Sequence, residues 1–420
     1  MSNATRILLA LVLGLALGVA GSATAPALAA RAADLADPVG ALWLNGLRMT
    51  IVPLVVALLI VGIAQTAEAA RAGRIAGLSL TIIVTIMSLS AVMGAVLMPL
   101  ILDLFPMPAD SARELRMALT SAPAIAPVPP FGNFLRALVP TNPIAAAAND
   151  AILPLMIFTT VFAFALTRLP PEPRTTLTGV FAAIADTMLI VIDWVLRLAP
   201  IGVFALALVV GARAGASALG ALLHYVVTVS AVGIIIALLA YPLAMIGGRI
   251  ALGRFSREIA PVQALAISTQ SSLACLPLMV KKSKELGVSP ATADVTLPMA
   301  VALLRATGPA VNLAVALYVA NWFGVELGPA QYAVAIVAAA LTSMGAVSLP
   351  GTVSFVTSIA PICLAIGVPI EPLALLIAVE TLPDIFRTLG NVMHDVAVTT
   401  TVARRTGTME TPDEVSLART

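Results

Sequence analysis

Five residues near the C-terminus could do binding chemistry together: Glu380, Asp384, Arg387, Asn391 and Asp395. On an α-helix their offsets of 0, 4, 7, 11 and 15 place them within roughly 80° of one another, on one face. They follow the apolar run 373–379 in a chain that keeps charge out of its apolar segments almost everywhere else. An ionisable side chain at membrane depth costs about 3 kcal/mol or more unless it faces a partner or a cavity. The stripe therefore reads as a polar binding site. It holds carboxylates for a cation, a guanidinium that can fork onto a carboxylate, and an amide that both donates and accepts. An internal ion-pair network bracing the helix would use the same residues. His394 lies near the edge of this face, and a histidine there can titrate near neutral pH.

The elements that position the stripe must be membrane helices. Of 420 residues, 60% are hydrophobic and 10% charged, against about 25% charged in a soluble protein. Apolar runs cover about 6–26, 42–66, 76–104, 149–169, 178–212 and 217–247, each long enough to span a bilayer. A net charge of +2 and the lack of an aromatic-basic patch give no sign of nucleic-acid binding. Cys275 and Cys363 form no disulfide framework, and with two histidines there is no zinc or haem spacing. Residues 1–30 read as a first spanning helix, with a cleaved signal peptide as the alternative reading of the same run. Asp193 and Arg197, four apart, predict a structural ion pair. His224 and Tyr225 are expected at a packing or lipid interface, and Lys281 to Glu285 in a solvated turn.

Two later stretches, 259–280 and 331–365, are apolar but interrupted by Ser, Thr, Gly and Pro, and alternate with fuller helices at 292–322 and 373–402. Interrupted segments in corresponding positions of two halves point to a transporter's binding site. Thr269-Gln270-Ser271-Ser272 corresponds to the break from Ser343 through Val347 to Pro350-Gly351. Basic residues collect at Arg6, Arg71 and Arg74, Arg168 and Arg174, Arg249 to Arg257, Lys281 to Lys284, and Arg404 and Arg405. The positive-inside rule then puts both termini in the cytoplasm. It also has 259–280 enter and leave from inside and 331–365 from outside, an inverted repeat.

These residues resemble the sodium:dicarboxylate, or glutamate/aspartate, symporter family from about residue 42 to 402. Arg48-Met49-Thr50-Ile51-Val52-Pro53-Leu54, Val139-Pro140-Thr141-Asn142-Pro143 and Ala199-Pro200-Ile201-Gly202-Val203 are similar to family landmarks. Asp384, Arg387, Thr388, Asn391 and Asp395 match the pattern of its last helix. The resemblance implies an all-α polytopic fold of eight transmembrane helices plus two oppositely oriented re-entrant hairpins, in a homotrimer of the cell inner membrane. It implies a scaffold of residues 1–74 and 139–215 and a transport domain of 75–104 and 216–402. The latter holds a hairpin at about 256–284, a helix at about 290–323, a second hairpin at about 330–366 and a last helix at about 370–403. Residues 105–138 would be an external loop and 404–420 a cytoplasmic tail. By the same resemblance Asp384 would take a substrate ammonium, Arg387 a side-chain carboxylate and Asn391 the α-carboxylate. Ser271, Ser272, Thr388, Gly308, Val347, Pro350 and Gly351 would line the site, with Glu380 behind it. The expected substrate is an acidic amino acid or related dicarboxylate, moved by an elevator motion. No enzymatic activity and no cofactor are expected.

The departures concern the coupling ion. Where the family has Asn-Met-Asp-Gly-Thr, this chain has Leu304-Arg305-Ala306-Thr307-Gly308, and the family's third-helix sodium ligands match Ile83, Ile86 and Met87. A residual sodium site would keep only Asn391 and Asp395. Arg305 is expected to supply fixed positive charge and to pair with Asp395. Sodium coupling would be weakened or replaced, with a proton on Glu380, Asp395 or His394 as the substitute. The alternative is a non-transporting substrate sensor or an uncoupled, channel-like member of the same fold. An intramembrane hydrolase using Asp384 and Asp395 is disfavoured, because Arg387 between them would keep both ionised.

Overall fold

The computed structural model describes residues 3–69, 73–107, 139–215, 217–345 and 351–410. These residues are helical throughout, with one isolated bridge between Val288 and Met409. Helices α1 (Asn3–Thr24), α2 (Pro26–Arg48), α3 (Ile51–Ala69) and α4 (Arg74–Leu104) are followed by the short α5 (Pro143–Ala148) and by α6 (Ile152–Leu166). Then come α7 (Pro171–Arg197), α8 (Ala199–Ala214) and α9 (Ser217–Leu238). The last part of the chain comprises α10 (Leu252–Thr269), α11 (Ser272–Glu285), α12 (Pro290–Leu303), α13 (Gly308–Phe323), α14 (Pro329–Gly345), α15 (Gly351–Ala365) and α16 (Thr381–Thr406). Among the described residues six helical stretches are long and apolar enough to cross a membrane: Thr5–Thr24, Pro26–Glu68, Arg74–Leu104, Pro171–Arg197, Leu219–Gly247 and Pro290–Phe323. The chain is a multi-pass membrane protein, in which helices satisfy the backbone groups that lipid cannot.

In the N-terminal half, the stretch 27–41, which separates the first two apolar runs and carries Arg31, Asp34 and Asp37, lies within α2. Its Ala29, Ala33, Gly40, Trp43 and Leu47 are buried at helical spacing, and α2 packs along α8. Leu206 lies against Gly40, Trp43 packs directly on Gly202, and the Trp43 indole donates to Val195 O at 2.9 Å. The acids meet Arg213 at the end of α8, at 3.6 Å from Asp34 and 3.9 Å from Asp37. The apolar run 178–212 is also not one helix; it divides at Leu198, with Pro200 in the first turn of α8. Helix α1 packs on α8 through Gly14, Gly18 and Gly211. A Cβ on Gly18 would stand 2.6 Å from Ala212 N, so only glycine permits this backbone approach. Asp193 and Arg197 form the expected pair, at 2.7 Å.

In the second half, α16 packs against α4, α9, α10, α11 and α12, which is why most of it is buried. Helices α10 and α11 pack on each other and are joined by Gln270, in the left-handed region at φ 51°, and Ser271. Helices α14 and α15 also pack together, and the break that joins them, 346–350, lies outside the described residues. Lys281 to Glu285 is not a solvated turn but the last turn of α11. There Lys282 joins Glu285 at 2.7 Å to Glu258 of α10 at 2.9 Å, so the two helices are pinned at their open end. The expected tail also begins later than residue 404. Helix α16 continues to Thr406, Gly407 caps it at φ 75°, and the strand-like residues beyond dock on the α11–α12 junction. Ser289 N donates to Thr408 O at 3.1 Å and Glu410 N to Gly287 O at 2.7 Å. These bonds satisfy backbone groups that a free tail would leave to water.

Candidate functional site

The site is assembled where α16 passes the gap between α12 and α13. Helix α12 stops at Leu303, Leu304 is extended (φ −85°, ψ 104°), and helix resumes at Gly308 with Pro309 in its first turn. Such a gap strands backbone donors, and three of them find partners. Thr307 N donates to Asn391 Oδ1 at 3.1 Å, Gly308 N to Arg305 O at 2.8 Å, and Ala310 N to Ser90 Oγ of α4 at 3.3 Å. The Thr307 hydroxyl lies 2.8 Å from both Arg387 O and Asn391 Oδ1 and has one proton to give. Because the Thr307 N–H can only donate, Oδ1 must be the amide atom that faces it, and Asn391 Nδ2 is left as a donor. Gly390 makes the approach possible, since a Cβ there would run into the Thr307 methyl and stand 3.0 Å from Ala237 Cβ.

One turn earlier, Arg387 is held among acids. Its Nη2 stands 2.7 Å from Glu380 Oε1 and its Nη1 3.4 Å from Asp384 Oδ1. The other Glu380 oxygen accepts a 2.7 Å hydrogen bond from Tyr225 of α9. All three charged side chains are nearly excluded from the surface, with Glu380 at 2% exposure. Arg387 Nε has no hydrogen-bond partner among the described residues. The sequence thus brought Glu380, Asp384, Arg387 and Asn391 to one face, and in the structure they touch or share partners. Thr388, 6% exposed, is on the same buried helix.

Asp395 stands apart. It is wholly buried, and neither carboxylate oxygen has a hydrogen-bond partner among the described residues. The expected pair with Arg305 is not formed. Arg305 acts instead on Asp384 and Arg387. The reason is distance along the helix: eleven residues separate Asp384 from Asp395, about 16 Å, so a guanidinium serving the first cannot reach the second. His394, 3% exposed, spends Nδ1 on Gly390 O at 2.9 Å. Ser271 caps α11 by accepting from Ala274 N at 3.3 Å, and Ser272 opens that helix half-buried. Gly308 opens α13 against Arg305 and Ser343 of α14. Gly351 is the first residue of α15, while Val347 and Pro350 lie outside the described residues.

Two contacts escaped the sequence reading. Tyr225, expected at a packing or lipid interface, is fully buried and bonds Glu380, and Thr307 ties the helix gap to α16. A hydroxyl inside the otherwise apolar run of α9 was the available signal for Tyr225. His224, next to it, contacts Tyr318 Oη at 3.2 Å and Phe105 O at 2.8 Å.

The apolar departures come together as well. Ile83 and Met87 of α4 lie in one buried cluster with Leu304 and Ala306 of the gap and Val398 of α16. A hard cation needs oxygen ligands, and these side chains supply none.

Comparison with known proteins identifies the family. The sodium:dicarboxylate symporter family matches residues 4–405. The proton/glutamate-aspartate symporter of Escherichia coli (strain K12) is 29% identical over 413 residues, covering 96% of this chain and 92% of the relative. The proton/sodium-glutamate symport protein of Bacillus subtilis (strain 168) is 26% identical, with 92% and 89% covered. A C4-dicarboxylate transport protein of Deinococcus radiodurans is 24% identical, with 95% and 88% covered. With nearly its whole length matched, this chain belongs to the sodium:dicarboxylate symporter family, a family of transporters and not of enzymes.

Proposed function

We propose that the protein is a secondary active symporter for an acidic amino acid or related dicarboxylate, with sodium coupling weakened or replaced by a proton. The observation that carries this reading is the buried Arg387 within reach of Asp384, one turn from an Asn391 amide whose donor is turned outward by Thr307. An acidic amino acid offers each group a partner. Its ammonium goes to Asp384, its side-chain carboxylate to the Arg387 fork, and its α-carboxylate to Asn391 Nδ2. Ser271, Ser272, Thr388 and Gly308 would line the site beside them. Relatives named for glutamate, aspartate and C4-dicarboxylates support the substrate class.

The coupling ion follows from the apolar cluster of Ile83, Met87, Leu304 and Ala306. These occupy positions where the family resemblance expects sodium ligands, and a cage reduced to Asn391 and Asp395 is too poor in oxygen. Asn391 Oδ1 is moreover engaged by Thr307. Transport would proceed by an elevator motion in a homotrimer. The hairpins α10–α11 and α14–α15 would carry the site with α4, α9, α12, α13 and α16 past a scaffold of the remaining helices. Both termini would face the cytoplasm, and the protein would sit in the cell inner membrane. The same lost cage favours a second reading, a substrate-binding sensor that does not accumulate its ligand. Uptake by the purified, reconstituted protein of aspartate, glutamate, succinate and a neutral amino acid decides between them. Accumulation of acidic substrates supports the symporter; binding without accumulation supports the sensor.

A further inference from the structure

We propose that Glu380 is the proton carrier of this symporter and acts by surrendering Arg387 to the substrate, an inference that rests on the transporter reading above. The argument begins with competition. One guanidinium, Arg387, is already paired to Glu380 Oε1 at 2.7 Å and lies 3.4 Å from Asp384. A substrate carboxylate that takes the fork of Arg387 must displace Glu380, the nearer of the two. Displaced and still ionised, Glu380 would be a buried carboxylate at 2% exposure beside a newly arrived anion. A proton on Glu380 removes both difficulties at once.

The charges around the fork lead to the same conclusion. Before substrate is counted, Arg305 and Arg387 balance Glu380 and Asp384. An acidic amino acid adds one negative charge, and one proton on Glu380 restores neutrality. Tyr225 gives this proton a definite place. Its hydroxyl holds Glu380 Oε2 at 2.7 Å, so Oε1, the oxygen that faces Arg387, is the atom that takes it. The groups that act on Glu380 are Arg387 and Asp384 on its own helix and Tyr225 from α9. Behind Tyr225 stands Tyr318 of α13, ring centroids 5.3 Å apart, and from the helix gap Arg305 acts on Asp384 and Arg387. The proton enters from the water on the side from which substrate comes and rides on Oε1. It leaves to water on the other side when substrate departs and Arg387 pairs with Glu380 again.

The test is binding of aspartate to the purified full-length protein in weakly buffered detergent, with a pH indicator, across a pH range. The wild type is expected to take up about one proton per aspartate bound. Its affinity should fall by about tenfold per pH unit above the transition, as linkage requires for one proton. Glu380→Gln should abolish both the proton uptake and the pH slope. Tyr225→Phe, which removes the donor that favours ionised Glu380, should move the transition to higher pH, and it serves with the wild type if the Gln variant does not fold. Affinity independent of pH in the wild type, a slope retained in Glu380→Gln, or an unmoved transition in Tyr225→Phe overturns the proposal while leaving the symporter reading standing. No binding of aspartate, glutamate or succinate at any pH overturns both.

Discussion

The two ends of the polar stripe on α16 are built in opposite ways. From Glu380 to Asn391 each charge or amide oxygen has an answer: Tyr225 for Glu380, Glu380 and Asp384 for Arg387, Thr307 for Asn391. One turn further on, Asp395 is wholly buried with neither oxygen hydrogen-bonded among the described residues, and Val398 beside it joins an apolar cluster. The first end holds fixed groups of both signs, each with a partner. The second keeps a carboxylate whose surroundings have become hydrocarbon. On the proposed reading, recognition and cation coupling are separable along a single helix, with recognition kept and the cation cage lost.

Breaking the first end should have the largest effect. Arg387→Ala strands Glu380 and Asp384 without their cation, which for a buried pair costs about 3–5 kcal/mol. Thermal unfolding in detergent should show that loss, and uptake of acidic substrates should vanish. Arg387→Lys should restore stability in part but not transport, because an ammonium cannot fork. Gly390→Ala comes next. Its methyl would collide with that of Thr307, and overpacking of this kind costs about 1–3 kcal/mol. The displaced Thr307 would also free the Asn391 amide to rotate, so the affinity for substrate should fall along with stability. The smallest effect is expected at the other end. Asp395→Asn replaces an unanswered buried carboxylate with a neutral group of the same shape, so the unfolding temperature should hold or rise. A drop comparable to that of Arg387→Ala would erase the contrast between the two ends.

Much of this was legible in the sequence. The stripe follows from a spacing of three and four residues, and helical geometry alone put its members on one face. The pause at Thr269–Ser272 was marked by polar residues inside an apolar run, whereas 292–322, expected as one fuller helix, breaks at Leu304–Thr307. What failed depended on contacts remote in sequence. Arg305 was assigned to Asp395 by charge complementarity, but the break in the helix delivers it to the Asp384 end. Tyr225 was left between a packing and a lipid interface because nothing local says that α9 faces Glu380 across 155 positions. The stretch 27–41 falls outside the apolar runs because its charges are visible in the sequence and their partner Arg213 is not.

The most direct test of a recognition site working without a sodium cage is uptake into proteoliposomes under one imposed gradient at a time. With sodium absent, an inward proton gradient should drive aspartate accumulation, and adding a sodium gradient should change it by less than about twofold. Accumulation that requires sodium and rises steeply with its gradient would contradict the account.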